Sequence, residues 1–236
     1  MALPFFYKQD ITASDTTVVL DEDTSKHVVQ VLRMQNGEQV KLTDGKGNIF
    51  VAEITDNHRK KCVVTITATL EIPNGATRVS IAISPVKNNS RLEWFLEKAT
   101  EIGVSGIIPL ICERTEKQQL KMERLQGIVI SAMLQSQQAW LPVLSEAQKF
   151  NEFITTAGKD PSLQKLVAHC EEDSKTALSA IPSSGHTVIL IGPEGDFSPK
   201  EIEAARQQQF IPVSLGDTRL RTETAGMVAA ALLCNR

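Results

Sequence analysis

Apolar and polar positions alternate in short runs over residues 1–72. Val18–Leu20, Gln39–Thr43, Ile49–Thr55 and Cys62–Leu70 read as strands, separated by turn signals such as Asn36-Gly37 and Asp44-Gly45-Lys46-Gly47. Only Ser25–Met34 carries helical periodicity. A small barrel or curled sheet is the natural way for such a segment to close its edges. The sequence Glu71-Ile72-Pro73-Asn74-Gly75-Ala76-Thr77 then breaks the pattern and places a boundary after residue 72. Beyond it strands and helices alternate. Arg78–Val86, Gly106–Cys112, Gln164–Cys170, Thr187–Ile191 and Ile211–Leu215 are the expected strands. Helices are expected over Arg91–Ile102, from about Lys117 to Trp140, and from about Glu223 to Asn235. That alternation predicts an α/β domain over residues 73–236 with a largely parallel sheet.

Composition narrows the class. An apolar share of 42% with 22% charged residues is that of an ordinary globular protein. No apolar run reaches the roughly 20 residues that span a bilayer, and Met1–Asp10 has no signal-peptide pattern. Cys62, Cys112, Cys170 and Cys234 lie far apart, without a C-x-x-C or His/Cys cluster, so neither a metal site nor a disulfide framework is expected. These features predict a cytoplasmic protein. The net charge of −3 argues mildly against nucleic-acid binding; RNA contact would need a local basic stripe.

Two loops stand out because each follows an apolar strand and leads into a helix. In the first, Ile189-Leu190-Ile191 runs into Gly192-Pro193-Glu194-Gly195, and Ser198, Pro199 and Glu201 supply an N-cap, a first-turn proline and the acid of a capping box. The spacing is neither a Walker A loop nor G-x-G-x-x-G, and taken alone it describes a tight, well-capped turn. In the second, Ile211–Leu215 runs into Gly216-Asp217-Thr218-Arg219-Leu220-Arg221. A helix follows whose Ala225–Leu233 stretch is apolar nearly all round. An ion-paired helix start accounts for Arg219, Arg221 and Glu223. Two such loops on one sheet nevertheless favour a shared pocket.

Gly192-Pro193-Glu194-Gly195, then Leu215-Gly216, then Leu220-Arg221-Thr222-Glu223-Thr224-Ala225 together resemble the RsmE family of SPOUT RNA methyltransferases. His27–Arg33, Asp44–Gly47, Lys98–Val104, Glu113–Thr115, Gln135-Ser136 and Pro142 fall in the family's order, so the resemblance spans nearly the whole chain. It implies a PUA-like β-barrel over residues 1–72 and a SPOUT methyltransferase domain over 73–236, its chain drawn into a deep trefoil knot. It also implies S-adenosylmethionine as cofactor, a homodimer, and methylation of N3 of a uridine in 16S rRNA within the small ribosomal subunit.

Carried over position by position, the resemblance assigns the cofactor to Leu190, Ile191, Gly192, Pro193, Glu194 and Gly195 on the first loop. On the second it assigns Leu215, Gly216, Leu220, Arg221, Thr222, Glu223, Thr224 and Ala225. The strand end His169-Cys170-Glu171 is expected to line the same pocket. Arg221 is the candidate to stabilise charge on the uracil oxygens, and Glu223 or Glu194 the candidate base; an ion pair is the structural alternative for each. His27, Arg33, Arg91 and Lys98 are the candidate RNA contacts, with Arg59-Lys60-Lys61 and Lys87 adding positive charge. The chain departs from the family pattern at Asp196, where a second glycine is usual, and at Ser131 and Gln138, where Glu and Arg are usual. Gln135 prolongs the apolar row Leu125, Ile128 and Ala132, which predicts a buried amide needing a partner.

Other readings compete. A non-enzymatic RNA-binding protein with the same barrel would not need the intact Gly192–Gly195 loop. A nucleotide-binding α/β enzyme of another kind would show a phosphate fingerprint. A SPOUT enzyme acting on another RNA or base atom fits the same residues.

Overall fold

The computed structural model describes residues 3–116, 118–171, 174–182 and 184–235. The chain forms two compact units, one of residues 1–74 with 133–141 and one of residues 75–132 with 142–236.

Among the described residues the small unit is built on a five-stranded sheet: β1 (Phe5–Tyr7), β2 (Thr17–Val19), β3 (Gln39–Thr43), β4 (Asn48–Asp56) and β5 (Val63–Glu71). They lie in the order β1-β3-β4-β5-β2, antiparallel except for β1 against β3. Register shifts at Val51/Ala52 and Ile54/Asp56 are bulges, which add twist and curl the sheet around Val40, Leu42, Phe50, Ile54 and Val64, all fully buried. β1 was not among the expected strands.

The expected helix at Ser25–Met34 starts earlier. Asp21 caps it by accepting from the Thr24 amide at 2.9 Å, giving α1 over Glu22–Lys26. The chain then widens into a π turn over His27–Val31. Buried Ser25 accepts from the Cys62 amide at 2.9 Å and donates to the Leu20 carbonyl, fastening α1 to the sheet.

The turn between β3 and β4 is organised by Asp44, which accepts from the amides of Lys46 and Asn48 and from the Asn48 side chain. Gly47 has φ +100°, and a Cβ there would lie 2.5 Å from the Trp140 ring. Trp140 in turn donates to the Ile72 carbonyl at 3.0 Å.

The larger unit carries a parallel sheet of β6 (Arg78–Ile83), β7 (Gly106–Ile111), β10 (Gln164–Ala168), β12 (His186–Ile191) and β13 (Ile211–Ser214), with short β8 (Val143–Leu144), β9 (Gln148–Lys149) and β11 (Thr176–Ala177). The order is β11-β13-β10-β12-β6-β7-β8, with β9 also on β7. The chain thus lays its early strands outward from β6, then returns to place β12, β10 and β13 on the other side. Its helices are α2 (Asn89–Ile102), α3 (Met122–Gln135), α4 (Phe150–Gly158), α5 (Pro199–Gln207) and α6 (Thr222–Cys234). Ile81, Ile107, Leu110, Leu166, Val167, Ile189 and Leu190 are buried, as expected for strands covered on both faces.

α3 is shorter than the Lys117–Trp140 helix expected. Gln118–Lys121 offers no capping side chain, and Gln137 turns left-handed at φ +58°; Lys117 lies outside the described residues. Gln135 ends the helix exposed, so it is not the buried amide its place on the apolar row predicted. Ser131 is likewise exposed, and Gln138 donates to Ser136 Oγ at 2.8 Å.

α6 packs against α2 and β6 through Gly226. A Cβ on Gly226 would stand 2.6 Å from Phe95 Cε2 and 2.9 Å from Ile83 Cδ1, both fully enclosed side chains. Gly226→Ala should therefore lower stability by about 1–3 kcal/mol, overpacking outweighing the roughly 1 kcal/mol that alanine gains in a helix. Thermal denaturation of the variant tests this, and a raised melting temperature would show that the interface yields.

Candidate active site

The carboxyl ends of three adjacent strands define the site. Ala168 of β10 stands beside both Ile191 of β12 and Val213 of β13. Above them the loops after these strands, with the start of α6, enclose a cavity of about 690 Å³. That size suits a cofactor or nucleotide, and strand ends of an open α/β sheet are where such ligands bind.

The first loop owes its shape to local chemistry. A Cβ on Gly192 would meet the Phe197 amide at 3.1 Å and its ring at 3.2 Å, and that ring packs on Phe150. Ser198 and Glu201 form the capping box of α5, and Glu201 also accepts from the Glu113 amide at 2.8 Å. Glu194 accepts from the Lys87 amide at 3.1 Å, and Arg114 donates to the Gly195 carbonyl at 2.6 Å. The segments after β6 and β7 thus brace this loop from behind.

The second loop is open. Gly216 has φ +131° with nothing above its Cα within 4 Å, and among the described residues the amides of Gly216 to Leu220 donate to no protein acceptor. Arg221 caps α6 in extended backbone; its guanidinium makes no ion pair among the described residues. Thr222 donates through its hydroxyl to the Gly192 carbonyl at 3.0 Å, deep in the core, so one side chain joins both loops.

Of the residues singled out in the sequence, Ile191, Gly192, Pro193, Glu194, Leu215, Gly216, Leu220, Arg221, Thr222 and Ala225 line this cavity, as do His169 and Cys170. Leu190, Gly195, Thr224 and Glu223 do not. Leu190 is enclosed in the sheet core, and Gly195 lies against Arg114. Glu223 turns towards α2, its Oε1 3.6 Å from Arg91 Nε, while its buried Oε2 has no hydrogen-bond partner among the described residues. Arg91 thus serves an ion pair, and Lys98 is held by Glu97 and Glu101 at 2.6 and 2.9 Å. His27 and Arg33 are exposed on the small unit.

Lys175, Asp196, Asp217 and Arg219 complete the charged rim of the cavity. Lys175 could not have been found by pattern: it folds back to donate to the carbonyls of His169 and Glu171. Burial, and next the Lys175 ammonium, hold the His169 imidazole below its ordinary pKa; burial and the Asp196 carboxylate raise the Cys170 thiol.

Residues 73–234 match the family described as RNA methyltransferase domain, and residues 20–67 the one described as RNA methyltransferase PUA domain. The fold and the cavity therefore belong to an RNA methyltransferase with a PUA domain at its N-terminal side. The chain is 32% identical to ribosomal RNA small subunit methyltransferase E of Synechocystis sp., over 92% of this chain and 72% of that one. Among solved structures, the probable rRNA-methyltransferase from Porphyromonas gingivalis superposes with a TM-score of 0.89 at 41% identity, covering 99% of this chain and 100% of that one. A ribosomal RNA small subunit methyltransferase E from Neisseria gonorrhoeae, crystallised bound to S-adenosyl methionine, superposes with a TM-score of 0.86 at 31% identity over 98% and 96% of the two chains. The chain belongs to the ribosomal RNA small subunit methyltransferase E (RsmE) family.

Thr222→Val should cost about 1–3 kcal/mol by leaving the buried Gly192 carbonyl unpaired, seen as a lower midpoint in urea. His169 and His186 are both kept below their ordinary pKa by burial. Their contribution to stability is complete above the unfolded value of about 6.5 and lost as the pH falls below it. The melting temperature should drop between pH 7.5 and 5.5, and His169→Gln should flatten that slope; an unchanged slope would exclude His169.

Proposed function

We propose that this chain transfers a methyl group from S-adenosylmethionine to N3 of a uridine in 16S rRNA. The observation that carries the reading is the cavity over β10, β12 and β13, with an apolar seat and, among the described residues, a rim of unpaired amides and a free Arg221 guanidinium. The seat of Ile191, Val213 and Leu215, edged by the amides of Gly216 to Leu220, fits the adenine of an adenosyl group, which is flat and apolar on its faces with polar edges. The N. gonorrhoeae relative bound to S-adenosyl methionine supports that cofactor. When bound, it supplies a methyl group activated by a sulfonium.

The protein's share is to hold the uridine in line, take its N3 proton and stabilise the charge that spreads over the uracil oxygens. Arg221 provides the positive charge. Glu194 is the carboxylate on the cavity side, with one oxygen engaged by the Lys87 amide. Its other oxygen accepts the proton. Glu223 braces α6 through Arg91. N3 lies on the pairing edge, so the base enters unpaired or flipped; on the small unit, exposed His27 and Arg33 are RNA phosphate contacts.

The assembly is a homodimer acting on the small ribosomal subunit in the cytoplasm. Met227, Val228, Ala231 and Leu232 stay half-buried on α6 and Trp94 is 43% exposed on α2, an apolar surface that a second copy would cover. A trefoil knot in the large unit belongs to the same reading; the return of the chain to lay β12 on β6, with β10 and β13 beyond it, supports it.

Incubation with unmodified small ribosomal subunits and nucleoside mass spectrometry should yield 3-methyluridine; a methyl group on another atom would keep the enzyme class and overturn the N3 assignment. Arg221→Ala should leave the melting temperature unchanged and lower kcat by about 10²-fold or more. Near-wild-type turnover would remove Arg221 from the chemistry.

A further inference from the structure

β10 and β12 are hydrogen-bonded neighbours as far as Ala168 and Ile191, and there the ladder ends. Beyond that point both strands leave the sheet and become walls of the cavity, β10 through His169 and Cys170, β12 through Gly192, Pro193, Glu194 and Asp196. Backbone ladder bonds no longer fix the distance between the two walls. The Asp196 side chain joins them.

Asp196 has φ +63°, the left-handed region. Among non-glycine residues Asn and Asp enter that region most readily, and the resemblance places a glycine at this position. The conformation is set by the turn, in which the Asp196 amide donates to the Pro193 carbonyl at 2.9 Å. It directs the carboxylate across to the neighbouring wall. Oδ2 accepts from the Cys170 amide at 2.8 Å, while Oδ1 accepts from the Phe197 amide at 2.8 Å. Each oxygen has one donor, and hydrogen bonds to an ionised acceptor are about twice as strong as neutral ones. A glycine here would adopt the same backbone without strain, yet could not reach β10. The Asp196–Cys170 bond is an added rung that prolongs the β10–β12 pairing past the end of its ladder. On the β10 side, Lys175 donates to the carbonyls of His169 and Glu171. The wall that Asp196 grips is therefore already closed on itself and responds to the rung as a piece.

We infer that Asp196 is a positioning residue that sets affinity for S-adenosylmethionine by fixing the spacing of the two cavity walls. The inference rests on the cavity being the cofactor site. Rigid walls reduce the ordering that binding otherwise requires. Loss of the rung therefore appears as weaker cofactor binding, with the chemistry intact once the cofactor is in place.

Three variants separate the rung from backbone strain. Asp196→Gly removes the rung and relieves the left-handed backbone. Asp196→Ala removes the rung and keeps the strain. Asp196→Asn tolerates the backbone but offers one acceptor for two amides. Calorimetric titration with S-adenosylmethionine should show Asp196→Gly binding about tenfold more weakly, a change of about 1.4 kcal/mol, at a near-wild-type melting temperature. Asp196→Ala should lose similar affinity and melt lower, and Asp196→Asn should fall between wild type and the glycine variant. On small-subunit substrate, KM for the cofactor should rise about tenfold in Asp196→Gly, with kcat within about twofold. Hydrogen exchange at the Cys170 amide should quicken. Wild-type affinity in Asp196→Gly, with the wild-type chain binding the cofactor, would overturn the inference alone. Absence of binding to the wild-type chain would overturn the reading of the cavity and the inference with it.

Discussion

The hydrogen bond from Thr222 Oγ1 to the Gly192 carbonyl is the point on which the site turns. It is buried, so both groups depend on each other for a partner; neither can swing away without stranding a polar atom in the core. Because Thr222 is the first residue of α6, the bond fixes where that helix begins relative to β12. It thereby sets where Arg221, one residue earlier, leaves the helix axis. The close contact of Gly226 with Phe95 and Ile83 fixes the same helix one turn further on. A helix held at two successive turns has little freedom to tilt, and the rim of the cavity inherits that rigidity.

Different kinds of interaction divide the work around the cavity. Behind the first loop, the Lys87 amide and the Arg114 guanidinium engage one oxygen of Glu194 and the Gly195 carbonyl. Beyond it, the capping box and the Phe197–Phe150 packing hold the loop's shape. The second loop is left with its amides unspent. One loop is built as a wall and the other as a set of donors, and an α/β strand end needs both to bind a ligand with apolar and polar parts.

Much of this was legible in the sequence. The strand–helix alternation after residue 77, the capping box at Ser198 and the two loops all follow from local rules. Three things were not. The strand order of the large sheet depends on which distant strands pair, and no local pattern encodes that. The orientation of Glu223 depends on its angular position on α6 relative to α2; one residue from Thr222 on a helix is a large rotation, which takes its carboxylate to Arg91 instead of the cavity. Two-residue β8, β9 and β11 contain too few residues for any periodicity, and three-residue β1 was missed as well. Asp196 is the converse case. The sequence marks it as a departure from a glycine pattern, and only the coordinates reveal that its two oxygens accept from two backbone amides.

The closure of the small unit by residues 133–141 bears on how the chain is made. Gly47 and Gly45 exchange backbone hydrogen bonds with Ala139 and Leu141, and the Trp140 ring lies over Gly47 and holds the Ile72 carbonyl. These partners are separated by long stretches of sequence, so the contacts form late and slowly. During synthesis the N-terminal sheet emerges first, but its Asp44–Gly47 turn stays uncovered until α3 has been translated. The nascent small unit waits for a piece of chain that is delivered from the middle of the next domain, which couples the folding of the two in time.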